Sequence, residues 1–304
     1  YQTAYLKANY PVEFLAASMT YDLTNTEKLA DFRQDAIQRG IEVYSPSLNH
    51  GEARFSVRDG GIDYALCAIK GVGEAVADHI VEVRKTHGPF TSLDDVVTRV
   101  NPRLIGKRPL ETMISAGVFD SLHPSRARLA RSADRLLAEA ASLHDDRTSG
   151  QGGLFGEVDN TPKDLVLPGD DWPLAERLQN EMAALGFFFS AHPLDDYEQV
   201  LERLRIPTYK DFFEQVRTRS SDDDDDPPIS EQGRRGPVQA ARLAGVVADS
   251  YERRTRDGRA MAIIKLTDHS GLYEIAVYEE QIAESRELAK AGKSLLIAVA
   301  GRMT

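Results

Sequence analysis

The sequence predicts a multidomain, mostly α-helical protein that ends in an incomplete all-β barrel of the OB-fold type. Apolar residues recur at helical spacing early in the chain, as Tyr5, Leu6 and Tyr10 do, whereas the last segment alternates apolar and polar residues as β-strands do. Between these regions, residues 220–228 hold five consecutive aspartates and two prolines, which indicate a disordered linker. The helices are therefore expected before the linker and the barrel after it.

Length and composition limit the class of protein. A chain of 304 residues is long enough for two or more domains, each with its own core. The single cysteine, Cys67, excludes an internal disulfide framework and suits a reducing compartment. No apolar run has the length of a membrane span and no signal-peptide pattern is present, so we expect a soluble, cytoplasmic protein. Because the chain begins at Tyr1 and stops directly after an apolar run, we also expect it to be part of a longer protein.

The formal net charge of −11 argues at first against nucleic acid as a partner. The acidic surplus is local, however, because residues 136–236 carry 22 acidic and 10 basic side chains and the rest of the chain is close to neutral. Attraction to phosphate is screened beyond roughly 8–10 Å at physiological salt, so the local balance decides. Nucleic-acid binding is therefore compatible with the composition.

The first part of the chain is predicted to contain helices and short β-hairpins. Residues 1–21 form two helices broken at Pro11, and a third helix opens at Asn25 and closes at Gly40. Three short β-type runs follow, at 41–44, 53–57 and 62–66. These elements alone indicate packing and no chemistry.

The stretch Ala68–Ala75 is predicted to form a hairpin between two helices. Its sequence I-K-G-V-G is the helix-hairpin-helix pattern, a module that grips the DNA backbone without reading the bases. Glycine tolerates positive φ and lets a phosphate approach closely, and the amides of Gly71, Val72 and Gly73 would open a helix whose N-terminus attracts anions. The alternative, a plain turn between helices with a glycine C-cap, stays open at this point.

A basic stretch follows the hairpin. Over residues 99–131, seven basic side chains face only two acidic ones, Glu111 and Asp120. The basic residues are Arg99, Arg103, Lys107, Arg108, Arg126, Arg128 and Arg131. Such a stretch suits contact with DNA phosphates. The alternative is an ordinary solvated face with i,i+4 ion pairs.

An isolated Leu-Phe pair lies in the glycine-rich run Gln151–Gly156, where it has no core to join. Exposed apolar anchors beside a hydrogen-bonding glutamine suit docking into a hydrophobic pocket on a partner. The pattern Q-x-x-L-F, formed by Gln151, Leu154 and Phe155, is that of peptides that bind the replication sliding clamp. Because only three positions are specified, such a match also arises by chance.

Residues 172–189 are predicted to form one more helix, with an apolar C-terminal end. His192 and Asp195 follow it and could suggest acid–base chemistry, but no nucleophile or second base is spaced to complete such a site. We therefore interpret the pair as packing and capping. Neither a catalytic nor a metal-binding residue is predicted in this chain.

The last segment has the strand order of an OB-fold, a small five-stranded barrel. Four strands are predicted, and a helix over 280–290 precedes the fourth of them. The strands cover 243–247, 261–266, 272–277 and 295–300. The fifth strand of the barrel is not in the sequence, so we expect an incomplete barrel.

The loop after the first of these strands is rich in arginine, with Arg253, Arg254, Arg256 and Arg259. In an OB-fold this loop is a usual site for single-stranded nucleic acid. Aromatic side chains that could stack on bases are sparse, and they are Tyr251, Tyr273 and Tyr278. Binding here is therefore expected to rest mainly on charge and to be weak and salt-sensitive.

Together these features resemble the C-family replicative DNA polymerases of bacteria, the α subunits of DNA polymerase III. The resemblance covers essentially the whole chain, and the OB-type segment closes it. Five stretches carry it in the family's order: Tyr5–Phe14, Ala68–Gly73, Ile114–Asp120, Gln151–Phe155 and Leu185–Tyr197. The Q-x-x-L-F element makes the chain more similar to the main replicative form than to the error-prone paralogue.

The resemblance implies four regions and their partners. They are the end of the fingers region (1–60), a helix-hairpin-helix and clamp-binding region (61–160), connecting helices with an acidic linker (161–236), and a truncated OB domain (237–304). The implied sites are Lys70, Gly71, Val72 and Gly73 for duplex phosphates, Arg253, Arg254, Arg256 and Arg259 for single strands, and Gln151, Leu154 and Phe155 for the sliding clamp, the β subunit. Other holoenzyme subunits are further expected partners, and no membrane is.

The resemblance also implies a role in processive, DNA-directed DNA synthesis. The family's catalytic carboxylates, which hold two Mg²⁺ ions, lie upstream of residue 1, so no cofactor is expected within this chain. Two other interpretations stay open at the level of the sequence. One is a non-catalytic DNA-repair or recombination adaptor with hairpin and OB modules, and the other is a helical scaffold whose glycine hairpin merely packs.

Overall fold

The computed structural model describes residues 2–149, 165–221, 238–255, 258–278 and 281–301. The chain forms two compact units, Tyr1–Ser190 and Ala191–Thr304. One hydrophobic core in the first unit runs from Leu15 to Phe187, so the predicted regions 1–60 and 61–160 pack together. The four-part division stays a prediction about function, whereas packing divides the chain in two. No helix among the described residues is long and apolar enough to cross a membrane.

The first unit is mainly helical, and its helices begin where the sequence places caps. The Asn25 side chain accepts a hydrogen bond from the Lys28 amide (3.2 Å), and the Ser92 side chain accepts one from the Asp95 amide (3.1 Å). The helices are α1 Gln2–Asn9, α2 Pro11–Tyr21, α3 Thr26–Gln38, α4 Glu74–His87, α5 Leu93–Arg99, α6 Pro102–Ile105, α7 Lys107–Ser115, α8 Arg126–Arg131, α9 Ala133–Ser149 and α10 Leu174–Leu185. The predicted break at Pro11 is confirmed.

Helix α10 is shorter than the predicted helix over 172–189. It ends at Leu185 because Gly186 is left-handed, with φ +90. A Cβ at Gly186 would lie 2.5 Å from Cβ of Thr26, so a side chain there would collide with the start of α3. The chain leaves the helix at this point, and Phe187 joins the core in an extended segment instead.

A three-stranded sheet lies between α3 and the hairpin. Its strands are β1 Val43–Tyr44, β2 Ser56–Arg58 and β3 Gly61–Asp63, in the order β1-β3-β2. β2 and β3 are antiparallel and joined by Asp59 and Gly60, both with positive φ (50 and 77), whereas β1 pairs parallel to β3. All three strands are shorter than predicted, and β3 ends at Asp63 because residues 64–68 lead into the hairpin.

The second unit contains an antiparallel four-stranded sheet. Its elements are α11 Glu198–Arg203, α12 Tyr209–Ser221, β4 Gln239–Arg254, β5 Ala260–Asp268, β6 Gly271–Tyr278, α13 Ile282–Leu288 and β7 Ser294–Gly301, and the strand order is β6-β5-β4-β7. The long strand β4 pairs with β7 over its first half and with β5 over its second half. This strand sharing curls the sheet into a half-barrel, which confirms the predicted incomplete OB-like barrel.

Helix α12, which the sequence analysis did not predict, packs on the inner face of this sheet. Phe212 and Val216 join the core there, and the ring of Tyr209 stacks on Tyr273 at 4.5 Å between centroids. The Tyr209 amide also donates to the carboxylate of Asp268 (2.6 Å). Tyr209, Phe212 and Val216 recur at helical spacing, so this helix was readable from the sequence.

Candidate nucleic-acid interface

The hairpin begins with a single turn of 3₁₀ helix, Leu66–Ala68, where the sequence predicted a full helix. The Val72 amide then donates to the carbonyl oxygen of Ile69 (3.0 Å) and closes a four-residue turn. Gly71, the third residue of this turn, has φ +80, which L side chains rarely adopt. Gly73 follows as the N-cap of α4 with extended backbone, φ −82 and ψ 164.

Two apolar side chains and one backbone bond anchor the hairpin. Ile69 and Val72 are buried in the core, at 1% and 5% exposed. The Lys70 amide donates to the carbonyl oxygen of Ala184 (3.0 Å) in the last turn of α10. The hairpin is therefore fixed on its protein side, while Gly71 and Gly73 are exposed on the other.

The exposed side of the hairpin offers backbone donors and open space. No atom lies within 4 Å of the position that a Cβ would take on Gly71 or Gly73. No described residue accepts a hydrogen bond from the amide of either glycine. Gly73 caps α4 and Gly71 lies two residues before the cap, close to the helix N-terminus, where the helix dipole favours an anion. Of the three predicted amide donors, Val72 already donates within the turn, so the amides of Gly71 and Gly73 remain as donors for a ligand.

Much of the predicted basic surface is occupied within the protein. The Arg99 guanidinium donates to the carbonyl oxygens of His87 (3.2 Å) and Gly88 (3.0 Å) and lies over the ring of Phe90. These contacts close the end of α4 onto α5. Arg99 is thus a packing residue rather than part of a DNA-binding face.

Arg126 is buried and takes part in an ion network. Its guanidinium donates to Asp120 (2.6 Å) and to Glu181 (3.1 Å), and Glu181 is itself only 1% exposed. The other Glu181 oxygen accepts the amides of Phe189 (2.6 Å) and Ser190 (2.7 Å). The network ties α8 to the end of the first unit, so Arg126 is structural.

The remaining basic side chains of the stretch are exposed, apart from the half-buried Arg128, and most have partners. Arg103 pairs with Asp145 (2.9 Å) and Lys107 with Asp134 (2.7 Å). Arg128 and Arg131 donate to the carbonyl oxygens of Leu167 (3.2 Å) and Asp170 (2.7 Å). Arg108 is the one member of this set whose guanidinium has no hydrogen-bond or ion-pair partner among the described residues. The alternative interpretation, a solvated face with ordinary ion pairs, therefore describes this stretch better.

In the second unit, Arg253 and Arg254 of the predicted loop lie in strand β4, and a β-bulge decides where their side chains point. The pairing of β4 with β5 shifts between Val247 and Asp249, which reverses the alternation of faces beyond that point. Arg253 therefore lies on the outer face of the sheet and Arg254 on the inner, α13-facing side. Arg259 is exposed opposite Thr255, and Arg256 lies outside the described residues. Arg253 and Arg254, two members of the predicted cluster, thus lie on opposite faces of the sheet.

The bulge also brings aromatic and basic side chains together on the outer face. Tyr251 and Arg253 pair across the strands with Ile263 and Met261, and Met261 pairs in turn with Tyr278. Tyr251 and Tyr278 are 41% and 57% exposed. We call Tyr251, Arg253 and Tyr278 the outer platform. Sequence alternation alone could not reveal it, because the bulge changes the face of Tyr251 and Arg253.

Tyr273, the third aromatic residue considered for stacking, is not available to bases. It is 4% exposed, and its hydroxyl donates to the carbonyl oxygen of Ala244 (3.2 Å). Burial raises the pKa of this hydroxyl above its usual value. Tyr273 belongs to the core of the second unit.

His192 and Asp195 form a capping turn. The carboxylate of Asp195 accepts the His192 amide (2.8 Å) and lies 2.7 Å from Nε2 of His269. Nδ1 of His192 accepts the Leu194 amide (3.2 Å), and burial lowers the pKa of His192 to about 4. These contacts are packing and capping, as the sequence predicted.

The predicted clamp-binding residues fall outside this description. The residues Gln151, Leu154 and Phe155 lie outside the described part of the chain. Across the described ranges, no group of three or more His, Cys, Asp or Glu side chains is arranged to hold a metal ion.

The hairpin and the curled sheet together define a class of protein, a DNA-binding region with a helix-hairpin-helix and an OB-like module. A family model described as "Helix-hairpin-helix motif" matches residues 40–129. The chain is 40% identical over 299 residues to DNA polymerase III subunit alpha of Caulobacter vibrioides, covering 98% of this chain and 25% of that relative. It is 34% identical to the same subunit of Xylella fastidiosa and 33% identical to that of Vibrio cholerae, with 98% of this chain covered each time and 25% and 24% of the relatives.

Over 98% of its length the chain is similar to curated DNA polymerase III α subunits, at 31–40% identity. That segment is about a quarter of the length of the curated relatives. The resemblance inferred from the sequence is confirmed.

Proposed function

We propose that this chain is the part of a bacterial replicative DNA polymerase that holds the DNA and supports processive, DNA-directed DNA synthesis. The observation that carries the proposal is the pair Gly71 and Gly73, whose amides have no acceptor among the described residues and whose exposed sides are open. They lie within the matched helix-hairpin-helix region of a chain related to polymerase α subunits.

At the hairpin, the ligand would be the sugar–phosphate backbone of a duplex. A phosphate oxygen can accept the two glycine amides while the N-terminal dipole of α4 favours its charge. Lys70, which is exposed beside them, adds a positive charge. None of these groups reads a base edge, so binding would be independent of sequence.

At the outer platform, the ligand would be single-stranded template. Tyr251 and Tyr278 offer two exposed rings on which bases can stack, and Arg253 offers a charge for the backbone. Arg259, which is exposed at the adjoining turn, would add charge, whereas Arg254 is on the inner side of the sheet and Arg256 lies outside the described residues. This arrangement supports single-strand binding by base stacking as well as by charge. The sequence alone predicted binding that rests mainly on charge.

The sliding clamp would bind the segment that contains Gln151, Leu154 and Phe155. The support for this proposal is the Q-x-x-L-F pattern together with the replicative relatives. Contacts with other holoenzyme subunits and a cytoplasmic location are parts of the same proposal. Nucleotidyl transfer with Mg²⁺ would be performed by carboxylates elsewhere in the polymerase, and this chain would contribute binding.

The hairpin can be tested by replacing both glycines, with Gly71→Val and Gly73→Val in one variant. Valine at position 71 disfavours the left-handed backbone, and both side chains fill the space that a phosphate would enter. Loss of two hydrogen bonds of ordinary strength is expected to weaken duplex binding about tenfold or more. The measurement is fluorescence anisotropy with duplexes of unrelated sequence, which should be affected equally.

A matched control is Gly60→Val. Gly60 has φ +77 and open space around its Cβ position, so the substitution imposes a similar strain in the turn between β2 and β3. Duplex affinity is expected to stay unchanged in this control. Unchanged binding in the double variant, or an equal loss in the control, would contradict a phosphate-binding hairpin.

A further inference from the structure

An exposed arginine lies beside the hairpin but outside the helix-hairpin-helix pattern. Nη2 of Arg54 is 3.2 Å from Oε1 of Glu74, and the two side chains are 68% and 64% exposed. Glu74 is the first residue of α4, so its carboxylate follows directly on the Gly73 cap. An ion pair therefore borders the two glycine amides that are proposed to hold phosphate.

The backbone of Arg54 is fixed although its side chain is exposed. Two backbone hydrogen bonds, of 2.9 and 3.3 Å, join residues 52–53 to residues 66–67 at the start of the hairpin. The next residue, Phe55, is 7% exposed and packs edge-on against Tyr64, with 5.1 Å between ring centroids. The guanidinium can therefore turn from one partner to another while its Cα stays beside the hairpin.

The charges around the hairpin are balanced rather than basic. Exposed carboxylates of Glu74 and Asp78 lie on the first turns of α4, against the exposed Lys70 and Arg54. Burial raises the pKa of the Cys67 thiol, the charges of Glu74 and Asp78 add to this, and the charge of Arg54 opposes it. A phosphate arriving at the α4 N-terminus would be repelled by the carboxylates unless a cation moved to meet it.

We propose that Arg54 is a phosphate-binding residue of this site, held beside Glu74 until DNA arrives. When a phosphate reaches the amides of Gly71 and Gly73, the guanidinium leaves the carboxylate for the phosphate. An exposed ion pair is weak, and a guanidinium binds phosphate with two parallel hydrogen bonds, so the exchange is favourable. This inference rests on the proposed duplex binding by the hairpin.

The test is a double-mutant cycle with Arg54→Gln, Glu74→Gln and the combined variant. Duplex affinity is measured by anisotropy at several salt concentrations between about 50 and 200 mM. Arg54→Gln is expected to weaken binding about eightfold at 0.1 M salt and to reduce the salt slope by about 1, as the loss of one phosphate contact does. Glu74→Gln is expected to tighten binding, because it removes the competing carboxylate.

The decisive comparison is the effect of Arg54→Gln in the Glu74→Gln background. If Arg54 binds phosphate, the substitution still weakens binding there and still lowers the salt slope. If Arg54 only neutralises Glu74, the substitution has no effect in that background, and the proposal is wrong. An unchanged salt slope in the single variant would overturn it as well.

Two further variants complete the design. Arg39→Gln removes one charge and an exposed ion pair with Asp35 in α3, and it is expected to leave duplex affinity unchanged. The variant with Gly71→Val and Gly73→Val separates this inference from the proposed function. Failure of the wild-type chain to bind duplex, or of the glycine substitutions to weaken it, would count against the hairpin itself. Loss with the glycine variant but not with Arg54→Gln would reject only the role of Arg54.

Discussion

Burial determines which charged residues of this chain can contact a ligand. Arg126 and Glu181 are both nearly inaccessible and neutralise each other within the first unit. Breaking such a pair leaves an uncompensated buried charge, which is strongly destabilising. Arg54 and Arg253, by contrast, are exposed and lie beside open backbone or exposed rings. Counting basic residues along the chain therefore overstates the DNA-binding surface around α7 and α8.

His192 makes the stability of the second unit depend on pH. The ring is neutral in the folded state, with a pKa of about 4 against an ordinary value of 6.5, because burial disfavours its charged form. Between these two pH values the unfolded chain binds a proton that the folded chain does not. The stabilisation is therefore fully present above pH 6.5 and is lost as the pH falls toward 4, by about 1–3 kcal/mol.

This pH dependence can be measured by urea unfolding of the chain, followed by circular dichroism. The matched variant is His192→Asn, which keeps a side-chain acceptor for the Leu194 amide but does not titrate. The variant is expected to lose less stability than the wild type between pH 6.5 and 4. The same loss in both proteins would show that His192 does not cause it.

Among the elements, strand β4 controls the outer platform through its bulge. Tyr251→Ala or Tyr278→Ala is expected to weaken single-stranded DNA binding by about 1–3 kcal/mol, the usual contribution of one stacked base. Duplex binding should not change, because the hairpin is on another element. The measurement is anisotropy with a labelled single strand at one fixed salt concentration.

A control for this prediction is Leu296→Ala. Leu296 is 52% exposed and belongs to the outer face of the same sheet, but on β7. Its removal is expected to leave single-strand affinity unchanged. Equal losses for Leu296→Ala and the tyrosine variants would mean that general apolar surface, and not the platform, binds the strand.

The sequence predicted the elements well where the signal is local. The cap at Asn25, the break at Pro11 and the succession of four strands and one helix in the second unit all follow from short-range patterns. The predicted end of α10 was wrong by four residues, because Gly186 is left-handed and ends the helix, at a place where a Cβ would collide with Thr26, a residue far away in the chain. The face of Arg253 was unreadable for a related reason: a bulge of one residue reverses every side chain after it.

For the molecule as a whole, clamp docking and DNA binding should reinforce each other. The variant Leu154→Ala plus Phe155→Ala is expected to lose binding to purified sliding clamp while keeping its affinity for free duplex. On DNA that carries a clamp, the variant should lose more affinity than for the clamp alone. The wild type holds such a complex through both the clamp and the DNA, and the variant holds it through the DNA only. Surface plasmon resonance with immobilised clamp measures the first effect.

Leu174→Ala is the matched control, since Leu174 is an exposed leucine at 54% in the first unit and not in the Q-x-x-L-F pattern. It is expected to bind clamp as the wild type does. Equal clamp affinity of the wild type and the double variant would remove the clamp from the proposed function.

The hydrogen bond between the Lys70 amide and the Ala184 carbonyl oxygen has a consequence for folding during synthesis. The hairpin is complete only when α10 has packed beneath it, and α10 is made more than a hundred residues later. During synthesis the first unit therefore cannot complete its folding until its last segment has left the ribosome. Pairing of such distant segments slows folding. The hairpin is thus completed late, although its own sequence is short and local.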